Sequence, residues 1–153
     1  LAFLSAGGPS ALLGAIENAE DDEEAGVTDA TKIKIGKHDV VIGLAASGQT
    51  PYTNGVILAA RAASALTIGI ANNPDTPLLS AASYPILLET GGEIIAGSTR
   101  LKAGTAQKIC LNLITYMIMV KMGFVADGMM VAMVPTNEKL RRRREQIDLR
   151  LKK

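Results

Sequence analysis

One cysteine and one histidine are all that this chain of 153 residues has of either type. Cys110 alone excludes an internal disulfide framework and any site built from several thiolates. His38 alone excludes His-rich metal sites and leaves a single imidazole for acid–base work. Tryptophan is absent, and three tyrosines and two phenylalanines are the only aromatics, a poor supply of platforms for stacking nucleic-acid bases. The longest strongly apolar stretch, Ile109 to Val120, is interrupted by Asn112 and Thr115 and falls well short of the roughly 20 residues of a membrane span. No basic segment precedes the opening Leu1-Ala2-Phe3-Leu4. A signal peptide is therefore a poor reading there, and a start inside a strand, as in a fragment, a better one.

What is present is a globular composition, with 48% apolar and 20% charged residues and length for one domain with a single core. Sixteen Lys and Arg against fifteen Asp and Glu give a net charge of +1. The balance conceals an asymmetry: eight of the basic side chains and only two of the acidic ones lie in residues 139–153. The simplest reading of that Arg-rich tail is a solvated helix face.

Continuous apolar runs predict buried strands at Leu1–Ser5, Asp39–Ala45, Leu66–Ala71 and Tyr84–Leu88. Helical spacing predicts helices over Ser10–Glu20, Thr53–Ser64 and Arg100–Met122, a short helical segment at Leu78–Ala82 and a last helix opened by Pro135-Thr136-Asn137-Glu138. The acidic run Glu20–Glu24 is expected to stop at Gly26. The helix from Arg100, apolar nearly all round in its second half, is expected to be the central buried one, with Gly123 as its C-cap and Cys110 packed inside. Strands alternating with helices specify an α/β fold, a parallel sheet flanked by helices on both faces. Ligands of such sheets bind outside the carboxyl ends of the strands.

Two polar loops fall at such ends. Ala45-Ala46-Ser47-Gly48-Gln49-Thr50-Pro51 joins a strand to a helix. Ser47, Gln49 and Thr50 offer hydrogen-bonding groups there, Gly48 allows close backbone approach, and the next helix directs free N–H groups outward. It is neither a Walker motif nor a dinucleotide fingerprint; an ordinary N-cap turn is the bland alternative. Gly97-Ser98-Thr99-Arg100-Leu101-Lys102 repeats the pattern, with Ser98 or Thr99 as cap. Arg100 and Lys102 oppose the helix dipole unless an anion lies nearby. Two such helix starts point to a phosphate site, against the alternative of solvated first turns. Glu17 and Glu20 share a face, either as solvated carboxylates or as a base near a sugar, since carboxylates are the natural proton carriers in a chain with one histidine.

Taken together, Gly7-Gly8, Ile16-Glu17-Asn18-Ala19-Glu20-Asp21-Asp22, the Ala45–Tyr52 loop, Gly97–Lys108 and Pro135–Leu140 resemble the N-acetylmuramic acid 6-phosphate etherase family, in its order and spacing. The Ser-Gly loop alone indicates the wider sugar isomerase (SIS) superfamily. The resemblance implies a flavodoxin-like SIS domain, incomplete at its N-terminus, over residues 1–134, and a basic helix over 135–153 that starts a truncated helical region. It implies a cytoplasmic carbon–oxygen lyase of cell-wall sugar recycling. That enzyme cleaves the D-lactyl ether of N-acetylmuramic acid 6-phosphate to N-acetylglucosamine 6-phosphate and D-lactate by elimination and hydration.

No metal or organic cofactor is implied, and the partners expected are a small sugar phosphate and a second copy, not nucleic acid or membrane. Glu20 matches one of the family's two catalytic glutamates and is assigned the C2 proton. Ser47, Gly48, Gln49, Thr50, Ser98, Thr99 and Lys102 match its substrate-binding positions, although Gln49 stands where Arg is common. An earlier phosphate loop and the second glutamate of the family have no counterpart in this sequence. The alternative is a non-catalytic sugar-phosphate-binding module like the glucokinase regulatory proteins; an aldose–ketose isomerase is weaker still.

Overall fold

The computed structural model describes residues 1–151; Lys152 and Lys153, two charges of the basic tail, lie outside the described residues. Two 3₁₀ turns, Gly8–Leu12 and Ala19–Asp21, lead into α1 (Glu23–Lys32), β1 (Val40–Leu44), α2 (Pro51–Ala62), β2 (Leu66–Ala71), α3 (Pro77–Ala81), β3 (Tyr84–Leu87) and α4 (Lys102–Lys121). A hairpin of β4 (Val125–Ala126) and β5 (Met129–Met130) precedes α5 (Glu138–Leu151). The chain divides into two compact units, Leu1–Gln107 and the part from Lys108 onward.

In the first unit, β1, β2 and β3 form a parallel sheet in that order, as the α/β reading predicts. Val40 pairs with Leu66 and Leu44 with Ile70; Ile68 pairs with Tyr84 and Ala71 with Leu87. Parallel neighbours require crossovers, which α2 and α3 supply. Both helices settle on the same face, because Gly43 and Gly69 sit opposite each other there without side chains. A Cβ on Gly43 would lie 2.8 Å from Ile57 and 3.2 Å from Leu78, and one on Gly69 would lie 2.7 Å from the Leu78 carbonyl. Ile57 and Leu78, both fully buried, form the core there with Ala45, Ala71 and Ala82.

The helix α1 packs on α2. It escapes the sequence reading because Gly26, taken as a stop, lies inside it. Asp22 starts the helix, its side chain accepting from Ala25 N at 2.8 Å, and Glu23 and Glu24 suit the positive end of the dipole. Gly26 is needed for contact: a Cβ there would overlap the Tyr52 carbonyl, and one on Gly55 would overlap the Glu23 carbonyl.

Three expectations fail. Residues 1–5 form no strand, and Leu1 and Phe3 are exposed; an apolar run specifies a strand only where a neighbour pairs with it. Ser10–Glu20 is not a helix but the two short 3₁₀ turns and the coil between them. Leu12 and Leu13 stay exposed, so the helical stripe has no surface to bury against. The long helix is also not a buried one, since Ala103 is its only buried residue, and Cys110 is half-buried. Gly123 does terminate it, at φ +74°, with Phe124 N donating to Met119 O and Gly123 N to Val120 O.

In the second unit, Asp127 and Gly128 both have positive φ and turn the hairpin, as type I′ turns require. On α5, Ile147 is buried, and Arg144 pairs with Asp148 and donates to Val131 O at 2.9 Å.

Candidate functional site

The carboxyl ends of β1, β2 and β3 open onto three loops, and one buried residue ties them together. The backbone N–H of Asn72, the first residue after β2, donates to Ala46 O in the β1 loop at 3.0 Å. Its side-chain amide donates to Leu88 O at 2.9 Å and Thr90 Oγ1 at 3.5 Å in the β3 loop. Its Oδ1 accepts from Gln107 Nε2 of α4 at 2.9 Å. Asn72 thus fixes the β1 loop, the β3 loop and the start of α4 at the same end of the sheet.

The β1 loop holds four predicted residues. Ser47 is exposed and its Oγ accepts from Gln49 N at 3.1 Å. Gly48 is buried at φ +68°, flat against Thr76; a Cβ would overlap the Thr76 side chain. Its carbonyl accepts from Leu78 N at 3.1 Å, anchoring the loop to α3. Gln49 is exposed, with its carbonyl accepting from Asn54 Nδ2 at 3.4 Å. Thr50 is the N-cap of α2, but its hydroxyl makes no capping bond. Asn54 Oδ1, one turn on, is buried without a hydrogen-bond partner. The loop therefore presents hydroxyls and the amino end of a twelve-residue helix, the equipment of an anion site.

The second loop differs from expectation. Neither Ser98 nor Thr99 caps α4 with its side chain. Glu93 does so, one carboxylate oxygen accepting from Lys102 N at 3.0 Å and the other from Ala103 N at 2.9 Å. Those two backbone donors, with the Lys102 ammonium nearby, hold the Glu93 carboxyl below the usual carboxylate range. Ser98 is half-buried and Thr99 exposed; the Thr99 carbonyl accepts from Gly104 N at 2.7 Å. Lys102 enters the network through its backbone, and its side chain is exposed.

Glu20 lies exposed in the 3₁₀ turn Ala19–Asp21, which packs against α2. That places its segment beside α2, the helix whose N-cap is Thr50. The turn runs on into α1, where Tyr52 OH of α2 donates to Asp29 Oδ2 at 3.1 Å and Lys32 Nζ to Asp29 Oδ1 at 2.9 Å. The bonds from Lys32 and Tyr52 lower the Asp29 pKa. Burial, with the bond to the Asp29 carboxylate, pushes the Tyr52 phenol up to about 12.

Sequence reasoning missed Asn72, Thr76, Glu93 and Gln107 as parts of this end of the sheet. Asn72 carries a faint signal, a polar residue directly after an apolar strand. Glu93 carries none, because its partners are nine and ten residues away.

Fold and loops define an α/β domain with a parallel sheet and polar loops at the carboxyl ends of its strands. A family model described as the glucokinase regulatory protein N-terminal SIS domain matches residues 1–61. The Vibrio vulnificus NanR protein complexed with ManNAc-6P shares the fold, with a TM-score of 0.53 at 11% identity over 86% of this chain and 44% of that one. More particularly, the chain is similar to proteins named N-acetylmuramic acid 6-phosphate etherase. It is 53% identical to that of Deinococcus radiodurans over 94% of this chain and 47% of the relative. It is 50% identical to that of Shouchella clausii over 93% of this chain and 48% of the relative. The chain spans about half the length of the curated relatives it matches.

Proposed function

We propose that this chain, with SIS-type sugar-phosphate domain over residues 1–134 and a helical region starting at 135, serves an N-acetylmuramic acid 6-phosphate etherase. The observation that carries the reading is the identity of about half of all positions to proteins of that name, over nearly the whole chain. The alternative, a glucokinase-regulator-like binding module, has a family match that stops at residue 61.

In this reading the phosphate of the sugar sits on Ser47, Gly48, Gln49 and Thr50 at the start of α2, and Ser98, Thr99 and Lys102 contact the same ligand. Asn72 supports the arrangement by holding both loops at one end of the sheet. Glu20 takes the C2 proton of the open-chain aldehyde. The electrons of the C2–H bond form the C2–C3 double bond, and the C3–O bond breaks with its pair going to the lactyl oxygen, which takes a proton from water to leave as lactate. Water then adds across that double bond, its hydroxyl to C3 and a proton to C2, giving N-acetylglucosamine 6-phosphate. An exposed carboxylate beside α2 suits proton transfer to and from substrate. The protein acts in the cytoplasm as a dimer; no described helix is long and apolar enough to cross a membrane.

The test is product analysis with the muramic substrate in deuterated water. Release of D-lactate together with deuterium at C2 of the N-acetylglucosamine 6-phosphate supports the etherase; binding without lactate supports the regulatory module. Glu20→Ala abolishes C2 exchange if Glu20 is the base, and unchanged exchange refutes that role.

A further inference from the structure

Arg100 and Lys102 place two cations at the amino end of α4, where the dipole disfavours them unless an anion lies nearby. The anion in the structure is the protein's own. Glu93 spends both carboxylate oxygens on the free amides of Lys102 and Ala103, one each, in the two-pronged manner of a bound oxyanion. The contact closes a ring. Asn72 holds Leu88 and Thr90 after β3, Glu93 reaches the first turn of α4, and Gln107, about one turn further on, returns to Asn72.

We infer that Glu93 is a positioning residue: an internal anion that fills the amino end of α4, fixes the Ser98–Thr99 loop, and so reserves that end from phosphate, directing the sugar phosphate's charged group to the β1 loop and not to α4. The inference deepens the sugar-phosphate reading and rests on it. A dianionic phosphate at Lys102 and Ala103 would have to displace Glu93 or sit beside its charge. Backbone bonds tie the held segment internally, Ser98 N to Ile95 O and Leu101 N to Ser98 O, which leaves the Ser98 and Thr99 hydroxyls for uncharged sugar oxygens.

Inorganic phosphate titrated into this chain, followed by backbone amide resonances, tests the division. The expected result is movement of the amides of Gly48, Gln49, Thr50, Tyr52 and Thr53 with those of Lys102 and Ala103 still. In Glu93→Gln, Lys102 and Ala103 should respond to phosphate at least about tenfold more strongly; Glu93→Asp, which keeps the charge, should not respond. Movement of Lys102 and Ala103 in the unaltered chain overturns the inference, as does a Glu93→Gln variant in which they stay silent. Hydrogen exchange at these two amides separates the two readings without any ligand. They should be protected in the unaltered chain and exchange at least about tenfold faster in Glu93→Ala; equal rates overturn the clamp. A clamp that passes while the β1 loop ignores phosphate counts against the sugar-phosphate reading and also removes the inferred division of charge.

Discussion

Gln107 Nε2 donates to Asn72 Oδ1 at 2.9 Å, joining α4 to the carboxyl end of β2 across 35 positions of sequence. Asn72 is buried and its amide is used on both sides, so loss of Gln107 leaves a buried acceptor unpaired and loss of Asn72 leaves two half-buried groups without their partner. Asn72→Ala and Gln107→Ala should each cost about 1–3 kcal/mol. A double-mutant cycle in urea should return a coupling of about 0.5–3 kcal/mol. Additive losses would show that the two side chains are not partners.

Gly48 has no tolerance for a side chain. At φ +68° and pressed on Thr76, Gly48→Ala meets both backbone strain and overlap, about 1–3 kcal/mol from overpacking alone. Thr76→Ser in the same chain removes one methyl and should recover part of the loss in melting temperature, but not phosphate binding by the loop. Full recovery of both would mean that sterics alone set the loop.

The contact of α1 with α2 depends on two glycines. Gly55→Ala should drive the helices apart at Glu23. Amide protection should fall in α1 and in the Ala19–Asp21 turn, while β2, at the sheet centre, keeps its own. Equal loss everywhere would indicate global unfolding and not displacement of the segment that carries Glu20.

Stability should fall at both ends of the pH scale through one pair. The Asp29 pKa is lowered in the folded state. Its contribution is therefore present above the unfolded carboxylate value of about 3.9 and is lost as pH falls through the folded one. Tyr52, raised to about 12, contributes below the unfolded value of about 10 and loses that contribution between there and the folded value. Thermal melts of Tyr52→Phe should lose the alkaline term. They should also show a smaller acid term, because Asp29 keeps only Lys32. An unchanged alkaline limb would reject the assignment.

Ile109, Leu113, Tyr116 and Val120 are exposed on α4 at spacings of four, three and four residues, the period of a helix–helix seam. If that seam joins two copies, Leu113→Glu should turn a dimer into a monomer by analytical ultracentrifugation. The isolated fold should change by no more than about 0.5 kcal/mol, as for other surface positions. A dimer that survives the charge must use another surface.

The sheet was legible because each strand is a continuous apolar run, Leu66–Ala71 to the residue and the others within one or two positions. The β1 loop was legible for the same local reason, a Gly between short polar residues at a strand end. What failed was non-local. Leu1–Ser5 has strand composition and no pairing partner, and Gly26 looks like a terminator until Tyr52 is known to lie against it. The amino end of α4 did announce an anion through Arg100 and Lys102. That the anion is Glu93 depends on how the intervening loop folds, and composition does not encode it.

Gly43 and Gly69 give α2 and α3 a single shared seat. Ile57 and Leu78 both come within about 3.2 Å of the point where a Gly43 methyl would stand, so neither can change bulk alone. Through generations of drift the two positions should trade volume, a larger residue at one answered by a smaller residue at the other. Such paired exchanges across distant copies of the gene would record how deeply the helices sink into the sheet.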